Sequence, residues 1–421
     1  MTDRSFPDGF LWGASTAGHQ IEGGNVNSDM WSAEWAPDSF FAEPSGDACD
    51  SYHRYREDIA LLADAGLNAY RFGIEWSRVE PDEGYFSRAA LDHYRRMVAA
   101  CLELGITPVV TYSHFATPLW FAHSGGWTGP GAADRFARYC ERVSAHIGDL
   151  VPWACTLNEP NLMATLTHIG AAPVGTDDPA VHHPGPNVSA REAIARLRSM
   201  SIRTAPPTLP AFQDVSVETM ADVHRKASAA IRSGPGNAKV GWTLALVDVQ
   251  PGEGPQDRWH RAREAAQLEW LDVSADDDFV GVQTYSRERI GPDGILPRLP
   301  GAPCMLTGWE VYPDALAHTV RMAAARAMIP ILVTENGCAT DDDEVRIAYT
   351  ASALRGLADC IADGIDVRGY LHWSLLDNFE WVSGFAITFG LVAIDRVTFE
   401  RIPKPSLGWL GEVARVNQIG P

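Results

Sequence analysis

The chain has 421 residues, 46% of them hydrophobic and 21% charged, with a formal net charge of −20. That profile belongs to a chain with a large buried core and rules out intrinsic disorder. The negative sign repels phosphate backbones and anionic lipid, so neither nucleic acid nor a membrane is expected as a partner; no stretch approaches the roughly 20 apolar residues of a membrane span.

From the N-terminus, Met1 to Pro7 carries no apolar run, and the first β-rich segment is Phe10–Ser15. A helix-period segment follows over Tyr52–Asp64, with Tyr55, Ile59 and Leu62 on one face. The same alternation then repeats, with strand-like runs at Ala69–Trp76, Thr107–His114, Trp153–Glu159, Lys239–Leu246, Asp278–Tyr285, Ile331–Glu335 and Arg368–Ser374. Unbroken apolar stretches such as Ile331-Leu332-Val333 suit strands buried on both faces, as in a parallel sheet. Eight strand–helix units with no obvious linker predict an α/β fold: a single (β/α)8 TIM barrel over residues 1–421, with its active site at the C-terminal ends of the strands. Two regions interrupt the pattern. Ala171 to Ser216 is rich in Pro, Gly and Thr and reads as a long irregular excursion over the barrel mouth; Pro251–Asp257 reads as a shorter loop after the fifth strand.

The seven cysteines are scattered and form no CxxC pair, so we expect reduced thiols, a cytoplasmic protein, and neither a disulfide framework nor structural zinc. Asn187-Val188-Ser189 fits a glycosylation triplet, but nothing else signals secretion. Fourteen tryptophans serve core packing first, and their number also suits stacking on sugar rings.

Polar residues gather where the strands end: His114, Asn158-Glu159, Tyr285, Glu335-Asn336 and Trp373. In a (β/α)8 barrel that end is the catalytic face. Retaining cleavage of a glycosidic bond needs one carboxylic acid to protonate the leaving oxygen and a second carboxylate to attack the anomeric carbon, about 5–5.5 Å away. Glu159, on the fourth run, and Glu335, on the seventh, are glutamates with apolar flanks at strand ends, where surroundings can split two carboxyl pKa values.

Five segments carry a resemblance. They are Phe10-Leu11-Trp12-Gly13-Ala14-Ser15-Thr16-Ala17 with Gln20-Ile21-Glu22-Gly23, Tyr70-Arg71-Phe72-Gly73-Ile74-Glu75-Trp76, Thr156-Leu157-Asn158-Glu159-Pro160, Thr334-Glu335-Asn336-Gly337, and Trp373 through Trp381. In that order they resemble glycoside hydrolase family 1, the β-glucosidase and β-galactosidase family, over nearly the whole chain. The resemblance implies a retaining β-glycosidase that needs no cofactor and no metal and hydrolyses β-linked glycosides or oligosaccharides. It makes Glu335 the nucleophile, oriented by Arg71 and Tyr285, and Glu159 the general acid/base. Asn158 would bond the sugar 2-hydroxyl; Gln20, His114, Glu380 and Trp381 would hold the other hydroxyls. Trp373 would lie under the ring, and Trp309 would be the platform for the leaving group.

The chain departs from the family pattern at two places near the glycone. Phe115 stands where Trp is usual, which removes an indole N–H, and Gln283 stands where Asn is usual, which moves an amide by one methylene. Among rival readings, a phosphosugar specificity is opposed by Glu380, whose charge would repel phosphate, and by Ile387 in place of a lysine. A barrel metallohydrolase has only His182-His183 to offer, in the irregular loop. Transglycosylation on the same residues, or sugar binding without turnover, stays open at this stage, as does oligomeric state.

Overall fold

The computed structural model describes residues 4–37, 39–169 and 209–420. Most of the 171–216 excursion, with His182-His183 and Asn187, therefore lies outside the described residues. Eight strands close into one parallel barrel: β1 (Leu11–Ser15), β2 (Ala69–Gly73), β3 (Thr107–Ser113), β4 (Trp153–Asn158), β5 (Lys239–Ala245), β6 (Val280–Gln283), β7 (Ile331–Asn336) and β8 (Val367–Trp373). Each pairs with the next in sequence, and β8 returns to β1 through Gly369–Leu11 to Trp373–Ser15. All eight predicted runs fall on these strands. Several are shorter than read: the second stops at Gly73, since Trp76 begins a short helix over Trp76–Val79, and the sixth covers only Val280–Gln283.

A helix follows each strand before the next begins: α1 (Ser51–Ala65), α2 (Arg88–Glu103), α3 (Ala132–Ile147), α4 (Val217–Arg232), α5 (Glu269–Val273), α6 (Ala315–Ala327), α7 (Asp343–Ala362) and, after β8, α8 (Pro405–Val416). Side chains at their starts satisfy backbone N–H groups that have no partner within a helix. Ser87 accepts from Ala90, Ser216 from Thr219, and Asp342 from Glu344. The inward stripe of α3 is typical, with Phe136, Tyr139, Cys140, Val143 and Ile147 buried at helical spacing.

The segment read as a loop over Pro251–Asp257 is regular structure at both of its ends. Asp248–Pro251 forms a strand that pairs in parallel with Arg287–Gly291, and Gly294–Ile295 adds an antiparallel third strand. Asp257 then opens a helix to Arg263. The pairing joins segments about forty residues apart, beyond the reach of local periodicity.

One consequence of the strand pattern decides where chemistry can occur. Leu11, Ala69, Val109, Trp153, Cys155, Phe279, Leu332 and Leu371 form their own apolar cluster, a plug contributed by six barrel strands and by Phe279 just before β6. Polar interior residues such as Arg71, Asn158, Gln283 and Glu335 follow later along the same runs, and Thr243 joins them from β5. Among the described residues no helix is long and apolar enough to cross a membrane.

Because Leu332 is wholly buried in the plug, Leu332→Ala should leave a cavity and lower the unfolding free energy by about 2–5 kcal/mol. Urea denaturation measures this, and a loss well under 1 kcal/mol would contradict a close-packed plug.

Candidate active site

Strand ends bring the carboxylates to the mouth. At the end of β4 the chain turns at Glu159 with φ 45°, and the Glu159 N–H donates to the Thr243 carbonyl of β5 at 2.8 Å. At the end of β7, Gly337 follows Glu335-Asn336 because a Cβ there would overlap the carbonyl oxygen of Trp373. Asn336 anchors this turn: its amide donates to Thr284 O at 2.7 Å and to the Tyr349 hydroxyl at 3.1 Å. Tyr349 in turn donates to Tyr285 O at 2.7 Å.

The Glu335 carboxylate is held by three side chains. Arg71 Nη1 donates to Oε1 at 2.6 Å, Gln283 Nε2 donates to the same oxygen at 2.8 Å, and the Tyr285 hydroxyl donates to Oε2 at 2.6 Å. Arg71 is completely buried, so its charge meets Glu335 with little water to screen it. Asn158 Oδ1 takes three donors as well: Arg71 Nη2 at 2.6 Å, Gln283 Nε2 at 2.8 Å and Thr243 Oγ1 at 3.1 Å.

The two carboxyls differ in what surrounds them. Burial pushes Glu159 up to about 8; the charge of Glu335 adds to this, and Arg71 opposes it. Among the described residues no hydrogen bond reaches the Glu159 carboxyl. Burial raises Glu335 too, but the charge of Arg71 and the hydrogen bonds from Tyr285 and Arg71 pull it back. The donors therefore favour a charged Glu335 beside a protonated Glu159.

A second group forms a wall of rings. Trp373 and His114 stack with centroids 5.7 Å apart at 20°, His114 and Trp381 at 6.1 Å and 17°, and Trp381 and His19 at 5.6 Å and 4°. Trp373 Nε1 donates to Glu380 Oε1 at 3.2 Å. Burial drives Glu380 well above the usual carboxylate range and His114 well below the usual imidazole range, so His114 is neutral. Gln20 donates to Phe379 O at 2.7 Å. Buried polar atoms are nearly always bonded, yet Gln20 Oε1, His114 Nδ1 and Asn158 Nδ2 have no partner among the described residues. Trp309 stands apart from this wall, its ring 5.6 Å from Tyr285.

The mouth thus gathers the two glutamates with Arg71, Asn158 and Tyr285, and sets Gln20, His114, Trp373, Glu380 and Trp381 in a connected wall. Phe115 lies against Trp381, edge to face at 5.3 Å. Sequence reasoning missed the supports behind these groups. Thr243 is an unremarkable strand residue with no motif around it. His19 pairs with Glu34 at 2.6 Å, and its backbone N–H bonds Glu75 at 2.8 Å; His19 and Glu75 lie in or beside quoted segments, where their position was the only signal.

Two strand-end glutamates, one clamped by a buried arginine and the other without a donor among the described residues, give the barrel mouth the chemistry of a glycoside hydrolase. The chain belongs to glycosyl hydrolase family 1, which it matches over residues 2–200 and 274–419, and it is a retaining β-glycosidase. It is 34% identical to thermostable beta-glucosidase B of Thermobispora bispora, over 99% of this chain and 92% of the relative. It is 31% identical to the bifunctional beta-D-glucosidase/beta-D-fucosidase of Bifidobacterium breve, over 96% and 97% of the two chains. Among solved structures, beta-glycosidase BGL167 superposes with a TM-score of 0.87 at 48% identity, covering 99% of this chain and 98% of that one.

The electrostatics give a direct expectation. Glu335→Gln removes the negative charge that raises Glu159, so the Glu159 carboxyl should titrate below its position near 8 in the unaltered protein. Carboxyl-labelled glutamate NMR across pH 4–10 follows this; an unshifted Glu159 would mean that the two groups do not interact.

Proposed function

We propose that Glu335 is the nucleophile and Glu159 the general acid/base, acting on non-reducing terminal β-D-glucosides and β-D-fucosides. The observation that carries this assignment is the unequal treatment of the two carboxyls: Glu335 receives Arg71, Gln283 and Tyr285, and Glu159 receives no donor among the described residues. Glu335 attacks the anomeric carbon as the bond to the leaving oxygen breaks, and that oxygen takes the Glu159 proton. A covalent glycosyl-enzyme results. Water then attacks the same carbon, Glu159 accepts the water proton, and the bond to Glu335 breaks to free the sugar.

Asn158 Nδ2 donates to the sugar 2-hydroxyl, and Gln20, His114, Glu380 and Trp381 bind the remaining hydroxyls. Trp373 supports the ring, and Trp309 receives the leaving group. The unpaired buried atoms on Gln20, His114 and Asn158 support this reading, because a sugar hydroxyl supplies the missing partner in each case. The glucoside and fucoside preference rests on the activities named for the relatives, while Phe115 offers only an apolar face on that side. We place the enzyme in the cytoplasm, where thiols stay reduced: Cys49 and Cys101 are buried, which pushes both up to about 12.

Two measurements test the roles. Glu335→Gln should abolish turnover of every aryl β-glycoside, by at least about 10⁴-fold. Glu159→Gln should keep glycosylation of substrates with good leaving groups within about tenfold but lose those with poor ones, because only the latter need the proton. Equal loss across all leaving groups would contradict the division. In the unaltered enzyme Glu159 is protonated below about 8, so kcat/KM should fall as pH rises through that value. Glu159→Gln should erase that alkaline limb, and its persistence would assign it to another group.

A further inference from the structure

Arg71, Gln283, Asn158 and Glu335, from β2, β6, β4 and β7, meet in a closed cycle of hydrogen bonds. Arg71 and Gln283 are the donors, each serving both Asn158 Oδ1 and Glu335 Oε1, at 2.6 Å from Arg71 and 2.8 Å from Gln283. The cycle decides which way each amide points. Reversing Gln283 would press its oxygen against a carboxylate oxygen and a carbonyl oxygen. Reversing Asn158 would press its NH₂ against the Arg71, Gln283 and Thr243 donors. With its oxygen saturated, Asn158 has only Nδ2 left to offer, and that atom is buried without a partner among the described residues. Arg71 is common to both halves of the cycle through its charge, whereas Gln283 is neutral and contributes direction.

We propose that Gln283 is a positioning residue: by donating to Glu335 and Asn158 together, it locks the Asn158 amide as a donor to the hydroxyl beside the anomeric carbon and makes turnover depend on that hydroxyl. This rests on the roles proposed above for Glu335 and Asn158. A sugar lacking the hydroxyl leaves Nδ2 unmatched beside the nucleophile, and the penalty falls on the transition state, where that contact strengthens. The same donor also steadies the charge on Glu335, whose other titratable neighbours are Arg71, Tyr285, Glu159, Glu380 and Cys155.

The test compares kcat/KM for 4-nitrophenyl β-glucoside and its 2-deoxy counterpart in the unaltered enzyme, Gln283→Met and Gln283→Asn, with folding checked by circular dichroism. Met keeps the length of Gln without its donor. The preference for the 2-hydroxy substrate should fall about tenfold or more in Gln283→Met, the worth of one hydrogen bond to a charged or fully desolvated group. The acid limb of kcat/KM should move to higher pH, because losing a donor to a carboxylate makes it easier to protonate. A simple packing defect would lower both substrates alike and leave the limb in place. Gln283→Asn, one methylene short, reaches one acceptor and should lower the preference in part; it decides the matter if the Met variant does not fold. An unchanged preference and an unmoved acid limb in a folded variant overturn the proposal. An unaltered enzyme inert to the 2-hydroxy substrate, or a fully active Glu335→Gln variant, overturns the underlying roles and this inference together.

Discussion

A guanidinium with no exposed surface sits in the mouth of this barrel, and the arrangement around it follows from that one charge. Taking an arginine out of water is costly unless a carboxylate and well-aimed acceptors replace the lost solvent. Glu335 supplies the charge and Asn158 the second acceptor, so Arg71 fixes the position of two groups from two other strands. The same cation explains why neighbouring glutamates behave differently. Its charge meets Glu335 through a direct bond, while Glu159 feels it only at a distance and keeps its proton. The plug formed by Leu332, Leu371 and their neighbours completes the arrangement by packing the barrel below the mouth.

Much of this was legible in the sequence because it is periodic or local. The eight strands announced themselves as apolar runs of strand length, and the catalytic face followed from finding His114, Asn158, Glu335 and Trp373 at their ends. Position alone does not single out a strand-end glutamate; Glu159 and Glu335 stood out because Thr156–Pro160 and Thr334–Gly337, the segments around them, carry the family resemblance at two strand ends. What could not be read was mostly non-local. The sheet joining Asp248–Pro251 to Arg287–Gly291 depends on partners in different crossovers. The boundary of β2 moved because the backbone leaves the ladder after Gly73 while Ile74 and Trp76 are still apolar, and β6 keeps only Val280–Gln283 of its run. Thr243 is silent in sequence, and only the register of β5 beside β4 aims its hydroxyl at Asn158.

The two departures from the family pattern have different consequences. Phe115 gives up a polar handle and packs on Trp381, so it changes what the wall can offer a sugar while leaving the carboxylates alone. Gln283 is woven into the carboxylate clamp itself, and its extra methylene lets one amide nitrogen span two acceptors on different strands. The first alters a surface that substrate touches; the second alters the frame that holds the reacting groups.

The closed cycle of Arg71, Gln283, Asn158 and Glu335 also constrains how this enzyme can diverge. Every member has two partners within it, so the effect of replacing one depends on which residues the others are, and such effects do not add. Gln283 is itself one such change, set among Arg71, Asn158 and Glu335, and its effect is decided by the partners it keeps. Residues on the wall, such as Phe115, share fewer partners and can vary one at a time. A change on the wall acts on the sugar directly, whereas a change within the cycle reaches the sugar only through the members that remain.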